Sequence, residues 1–92
     1  MSNIKIYTTH YCPHCVRAKN LLQTKSADFE EIDLTEKDAL REELRQKTDW
    51  MTVPMIFMGE EFIGGADELF KLEASGELDK RLAALKDRPA GR

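Results

Sequence analysis

Cysteine is scarce in this chain: two residues in 92. Small secreted domains that staple a thin core with disulfides carry four or more at wider spacings, so that class is excluded. Long apolar runs are missing as well. The longest, Met51 to Met58, has eight residues and is interrupted by Thr52 and Pro54, against about 20 for a membrane-spanning helix. No basic stretch followed by a long apolar core opens the chain, so Met1 to Tyr7 does not read as a secretory signal. Positive charge is not in excess either. Fourteen Lys plus Arg stand against 17 Asp plus Glu, a net charge of −3, and nucleic acid would reward a basic face. The expectations are a cytosolic protein with no membrane and no nucleic acid among its partners.

What is present describes an ordinary globular chain, 41% hydrophobic and 34% charged. The length allows one domain over residues 1–92, with a core from about 3 to 85 and a polar tail over 86–92 that contains Pro89 and Gly91. A monomer is expected. Asn3 to Thr8 alternates as a short strand, with Ile4 and Ile6 on one face. Pro13 suits the first turn of a helix, where Cys15, Ala18, Leu21 and Leu22 recur at helical spacing to about Lys25. Phe29 to Leu34 reads as a second strand, although Glu30 and Glu31 break its alternation. Thr35 and Asp38 resemble a capping box opening a helix to about Thr48. Met55–Met58 and Glu61–Ile63 flank Gly59-Glu60 as a hairpin. Asp67 is placed as the start and N-cap of a third helix that Gly76 ends, and Leu78, Leu82 and Leu85 mark a fourth. The order is β-α-β-α-β-β-α-α, an α/β class with a mixed four-stranded sheet flanked by helices. Its first β-α-β unit is a right-handed parallel crossover.

Cys12-Pro13-His14-Cys15 lies between the first strand and the first helix. Residues three apart on a helix share a face about 5–6 Å apart, close enough for two sulfurs to bond after small adjustment. A pair this close closes too small a loop to be a useful staple. Cys12 sits where unpaired N–H groups and the helix dipole stabilise a thiolate, and Cys15 lies one turn inside. Cys12 is therefore the attacking thiolate and Cys15 the resolving thiol, with Pro13 and His14 tuning them. Zinc is the rival use of His10, Cys12, His14 and Cys15, but four ligands within six residues converge poorly on one ion, and no metal is expected.

Cys12-Pro13-His14-Cys15, Thr52-Val53-Pro54 and Gly64-Gly65-Ala66-Asp67, in this order and separation, resemble the dithiol glutaredoxins over about residues 3 to 85. The resemblance implies the thioredoxin fold and a glutathione-dependent thiol–disulfide oxidoreductase. It implies no bound cofactor, glutathione as cosubstrate, and disulfide-containing or glutathionylated proteins as partners. It further implies a cis peptide between Val53 and Pro54, whose free Val53 N–H and C=O can pair with an extended peptide. Gly65, Ala66 and Asp67 are implied to hold the γ-glutamyl end of glutathione, and Arg41 its glycyl carboxylate. Cys12, His14, Thr52, Val53 and Pro54 complete the implied glutathione site.

Three positions depart from the family pattern. Thr9 stands where a Lys is frequent, three residues before the first cysteine, and His14 stands where Tyr is usual. Trp50-Met51-Thr52 is similar to the Trp-Pro-Thr stretch of monothiol members that carry iron–sulfur clusters, with Met51 in place of the Pro. A cluster carrier and a thioredoxin-like donor reduced by a flavoprotein are the alternatives to the glutathione reading.

Overall fold

The β1 strand, Ile4–Thr8, lies inside a four-stranded sheet because both of its edges are taken. In the computed structural model, which describes residues 3–10 and 12–86, the strand order is β2-β1-β3-β4. β2 (Glu30–Asp33) runs parallel to β1, with Ile6 opposite Glu31 and Thr8 opposite Asp33. β3 (Met55–Met58) runs antiparallel on the other side and continues into β4 (Glu61–Gly64). The connecting turn starts at Gly59 with φ +64, where a side chain would be strained.

Four helices complete the expected order: α1 (Pro13–Thr24), α2 (Asp38–Thr48), α3 (Ala66–Ser75) and α4 (Glu77–Lys86). Ile4, Ile6, Ile56 and Met58 face α1, α3 and α4, and pack with Ala18, Leu22, Leu69 and Leu78. The opposite face, with Met55 and Phe57, packs with Leu40 and Leu44 of α2 and with Leu34 and Trp50 from the loops on either side of it. Successive β3 residues thus enter opposite cores, which accounts for the wholly buried run Met55–Met58. No helix of the described residues is long and apolar enough to cross a membrane.

Two helix starts differ from expectation. Thr35 is not the cap of α2. That position is Lys37, which makes no side-chain cap bond, and the Thr35 hydroxyl instead accepts from the His10 N–H at 2.9 Å. Asp67 is not the cap of α3, because Gly65 holds that place and Asp67 lies within the first turn. The second strand is also shorter than Phe29–Leu34, since Phe29 and Leu34 turn into the two cores at its ends. Helix α4 includes residue 86, and the expected tail beyond it lies outside the described residues.

Candidate active site

Cys12 is the N-cap of α1, and Pro13 occupies the first turn without an N–H to leave unpaired. The Cys15 N–H donates to Cys12 Sγ at 3.2 Å, so the sulfur sits in the place a capping oxygen would take. That donor and the helix dipole favour negative charge on Cys12. The two cysteines are joined as a disulfide, with Cα atoms 5.1 Å apart. Cys12 is half-buried, whereas Cys15 is 2% exposed. The asymmetry expected from their spacing is therefore present: an incoming thiol or disulfide can reach Cys12 and not Cys15.

The Val53 carbonyl oxygen lies 3.7 Å from Cys12 Sγ, and the Val53–Pro54 peptide is cis. Pro54 is buried while Thr52 is exposed, so this loop presents backbone beside the sulfur. A groove of about 200 Å³ opens there, between the 52–54 loop and the start of α3. His14, Thr52, Val53, Pro54, Gly65, Ala66 and Asp67 line it together. The structure thus gathers three stretches that are far apart in sequence. Gly65 belongs there because a Cβ would approach the Pro54 carbonyl oxygen and Trp50 to 3.4 Å. The first N–H groups of α3 have no carbonyl partner within the helix and suit a carboxylate. Asp67 on the same wall suits an ammonium group.

Arg41 is not brought to this groove, nor to the one described next. Trp50 and Glu68 line it although the motif reading did not select them as contacts. Glu68 has a legible signal: an acidic residue three positions after the cap, whose Oε1 accepts from the Gly65 N–H at 3.0 Å.

A second groove, of about 470 Å³, lies between α1 and β2. It is lined by both cysteines and walled by two side-chain pairs. His10 Nε2 meets Asp33 Oδ2 at 2.9 Å, and Lys19 Nζ meets Glu31 Oε2 at 3.0 Å. Hydrogen bonds from Thr35, its hydroxyl and then its N–H, hold the Asp33 carboxyl below the usual carboxylate range, with His10 adding to them. Thr9, at the family's frequent Lys position, also lines this side. His10 and His14 therefore fall into different grooves.

Residues 4–63 match the family model described as Glutaredoxin. The chain is 50% identical over 84 residues to the glutaredoxin of Pseudomonas aeruginosa, covering 91% of this chain and all of that one. It is 44% identical over 82 residues to glutaredoxin 3 of Escherichia coli K12, covering 89% and 99%. Among solved structures, the buckwheat glutaredoxin–glutathione complex superposes with a TM-score of 0.88 at 30% identity, covering 92% of this chain and 80% of that one. The solution structure of the Brucella melitensis glutaredoxin gives a TM-score of 0.79 at 44% identity, with 89% of each chain covered.

Proposed function

The chain belongs to the glutaredoxin family, and from that membership we propose that it is a cytosolic, glutathione-dependent disulfide reductase acting as a single-domain monomer. Its thioredoxin fold and Cys12/Cys15 pair make it a thiol–disulfide oxidoreductase. The observation that carries the glutathione reading is the groove running from Cys12 past Val53 to the first turn of α3. An extended tripeptide fits such a path. Its backbone pairs with Val53, the α-carboxylate of its γ-glutamyl end meets the α3 N–H groups, and the ammonium of that end meets Asp67. The complex of buckwheat glutaredoxin with glutathione, a relative at 30% identity, supports the assignment.

The chemistry needs no resident metal or prosthetic group. The Cys12 thiolate attacks the glutathione sulfur of a mixed disulfide, and the substrate thiolate leaves and takes up a proton. A second glutathione, as thiolate, then attacks the glutathione sulfur on Cys12, releasing oxidised glutathione and restoring the Cys12 thiolate. With a protein disulfide, Cys12 forms a mixed disulfide with one substrate sulfur. Cys15 then attacks Cys12 Sγ, so the substrate gains two electrons and the Cys12–Cys15 bond seen here forms.

The test is glutathione-dependent reduction of a glutathione mixed disulfide and of a protein disulfide. Cys12→Ser abolishes both. Cys15→Ser retains the first, which needs no resolving thiol, and loses the second. Equal loss in both variants, or turnover without glutathione, overturns the proposal.

A further inference from the structure

The groove between α1 and β2 lies outside the glutathione path proposed above, yet it is the larger of the two and is lined by both cysteines. Lys19 stands four residues after Cys15, on the same face of α1. Its Nζ reaches across the groove to Glu31 Oε2 at 3.0 Å. The same oxygen accepts from the Thr8 hydroxyl at 2.9 Å, and Thr8 is 2% exposed beneath the groove. Glu31 is thus held from two sides. Lys19 and Glu31 remain 26% and 39% exposed, so solvent weakens their field without removing it. The Asp33 carboxylate and the His10 imidazole are the other titratable groups of this lining.

A cation and an anion 3.0 Å apart act at a distance as a dipole, and most of their field cancels. Removing either one leaves a single uncompensated charge in the groove that both cysteines line. The sulfurs feel it because reduction changes their charge. The disulfide takes two electrons and one proton to give one thiolate and one thiol, so the reduced pair carries a negative charge that the disulfide lacks. A nearby cation stabilises the reduced form and a nearby anion stabilises the disulfide.

We propose that Lys19 and Glu31, anchored by Thr8, are a balanced pair whose opposite charges offset each other at the Cys12–Cys15 couple, so that its reduction potential depends on both being present. This inference rests on Cys12 and Cys15 being the redox pair, and it is independent of glutathione as the reductant. Lys19 and Glu31 act through the field at the sulfurs and touch no substrate.

Equilibration with dithiothreitol and its cyclic disulfide tests it, with the reduced fraction trapped by alkylation and counted by mass. In that exchange the protein disulfide gains two electrons and one proton, giving thiolate and thiol. Dithiothreitol loses two electrons and two protons on closing its ring, and the second proton enters solvent. Glu31→Gln leaves Lys19 uncompensated and shifts the equilibrium about threefold towards the reduced protein. Lys19→Met leaves Glu31 uncompensated and shifts it about threefold towards the disulfide, while Lys19→Arg stays close to wild type. Lost packing cannot produce opposite signs from the two halves of one pair. Shifts in the same direction, or none in either variant, overturn the inference. Turnover with glutathione, measured on the wild type alongside, tests the function proposed above separately.

Discussion

The Gly65 N–H and the Glu68 carboxylate are joined at 3.0 Å, which fixes the entry of α3 and with it one wall of the groove beside the 52–54 loop. The preceding residue, Gly64, has φ +121, and a Cβ there would lie 2.8 Å from Glu68 Cγ. Gly64→Ala therefore carries both backbone strain and a collision, and should cost about 1–3 kcal/mol. Urea unfolding followed by circular dichroism measures it; a loss of only a few tenths of a kcal/mol speaks against the strain.

Gly65 behaves differently. Its φ of −103 suits any residue, and an added Cβ meets its neighbours at 3.4 Å. Gly65→Ala should cost less stability than Gly64→Ala but narrow the groove beside Trp50. The KM for a glutathione mixed disulfide should rise several-fold, with kcat changing less. Equal changes in kcat and KM would place the effect on the sulfur chemistry and not on the groove.

Acid should weaken the tie between β4 and α4. The Arg81 guanidinium meets Glu61 Oε1 at 2.6 Å and holds its carboxyl below the ordinary value of 4.5. A carboxyl lowered on folding contributes stability above its unfolded value, and the contribution is lost as pH falls through the folded one. Glu61→Gln should thus be less stable than wild type at pH 7, with the gap closing below about pH 4.5. Thermal melts across that range read the gap, and high salt should shrink it. A gap that persists in acid would assign the loss to packing.

The alkaline side has the opposite sign. Lys25 reaches Glu73 at 2.8 Å and Asp79 at 3.0 Å, and their hydrogen bonds, Glu73 first, raise it above 10.5. A group raised on folding contributes fully below its unfolded value and loses that contribution as pH climbs through the folded one. The deficit of Lys25→Met relative to wild type should hold up to about pH 10.5 and vanish above it. A deficit unchanged at high pH would show that the side chain works through its methylenes.

His14 lines the groove beside the 52–54 loop from between the two cysteines. Positive charge on its imidazole would stabilise the Cys12 thiolate and make the disulfide a stronger oxidant. The helix N-terminus opposes a cation there, which keeps the effect modest. His14→Tyr should lower the reduction potential by roughly 10–30 mV, where 30 mV is about 1.4 kcal/mol. Redox equilibration against glutathione decides it; an unchanged or higher potential removes His14 from the tuning residues.

Much of this was legible because it is local. The alternation of Ile4 and Ile6, the helical recurrence of Cys15, Ala18 and Leu22, and Gly59 at the hairpin are properties of neighbouring residues, and all appear where expected. The helix starts were less secure, because a cap depends on which partner reaches the side chain first. Thr35 looked like a cap, but the loop before Cys12 comes within reach and its His10 N–H takes the hydroxyl. Asp67 looked like one too, until Glu68 supplied the bond that fixed Gly65 as the boundary.

The sequence by itself determined the order of elements, the dithiol at a helix start and the unequal exposure of its two sulfurs, since spacing and periodicity act over a few residues. Tertiary structure decided what surrounds those sulfurs. Parallel pairing sets Thr8 opposite Asp33 and Ile6 opposite Glu31, and that register alone puts Glu31 within reach of Thr8 and Lys19. The same packing brings Gly65 against Trp50 and Pro54 while leaving Arg41 outside both grooves. These contacts, between residues 11 to 25 positions apart, follow from strand register and helix docking, and no local pattern encodes either.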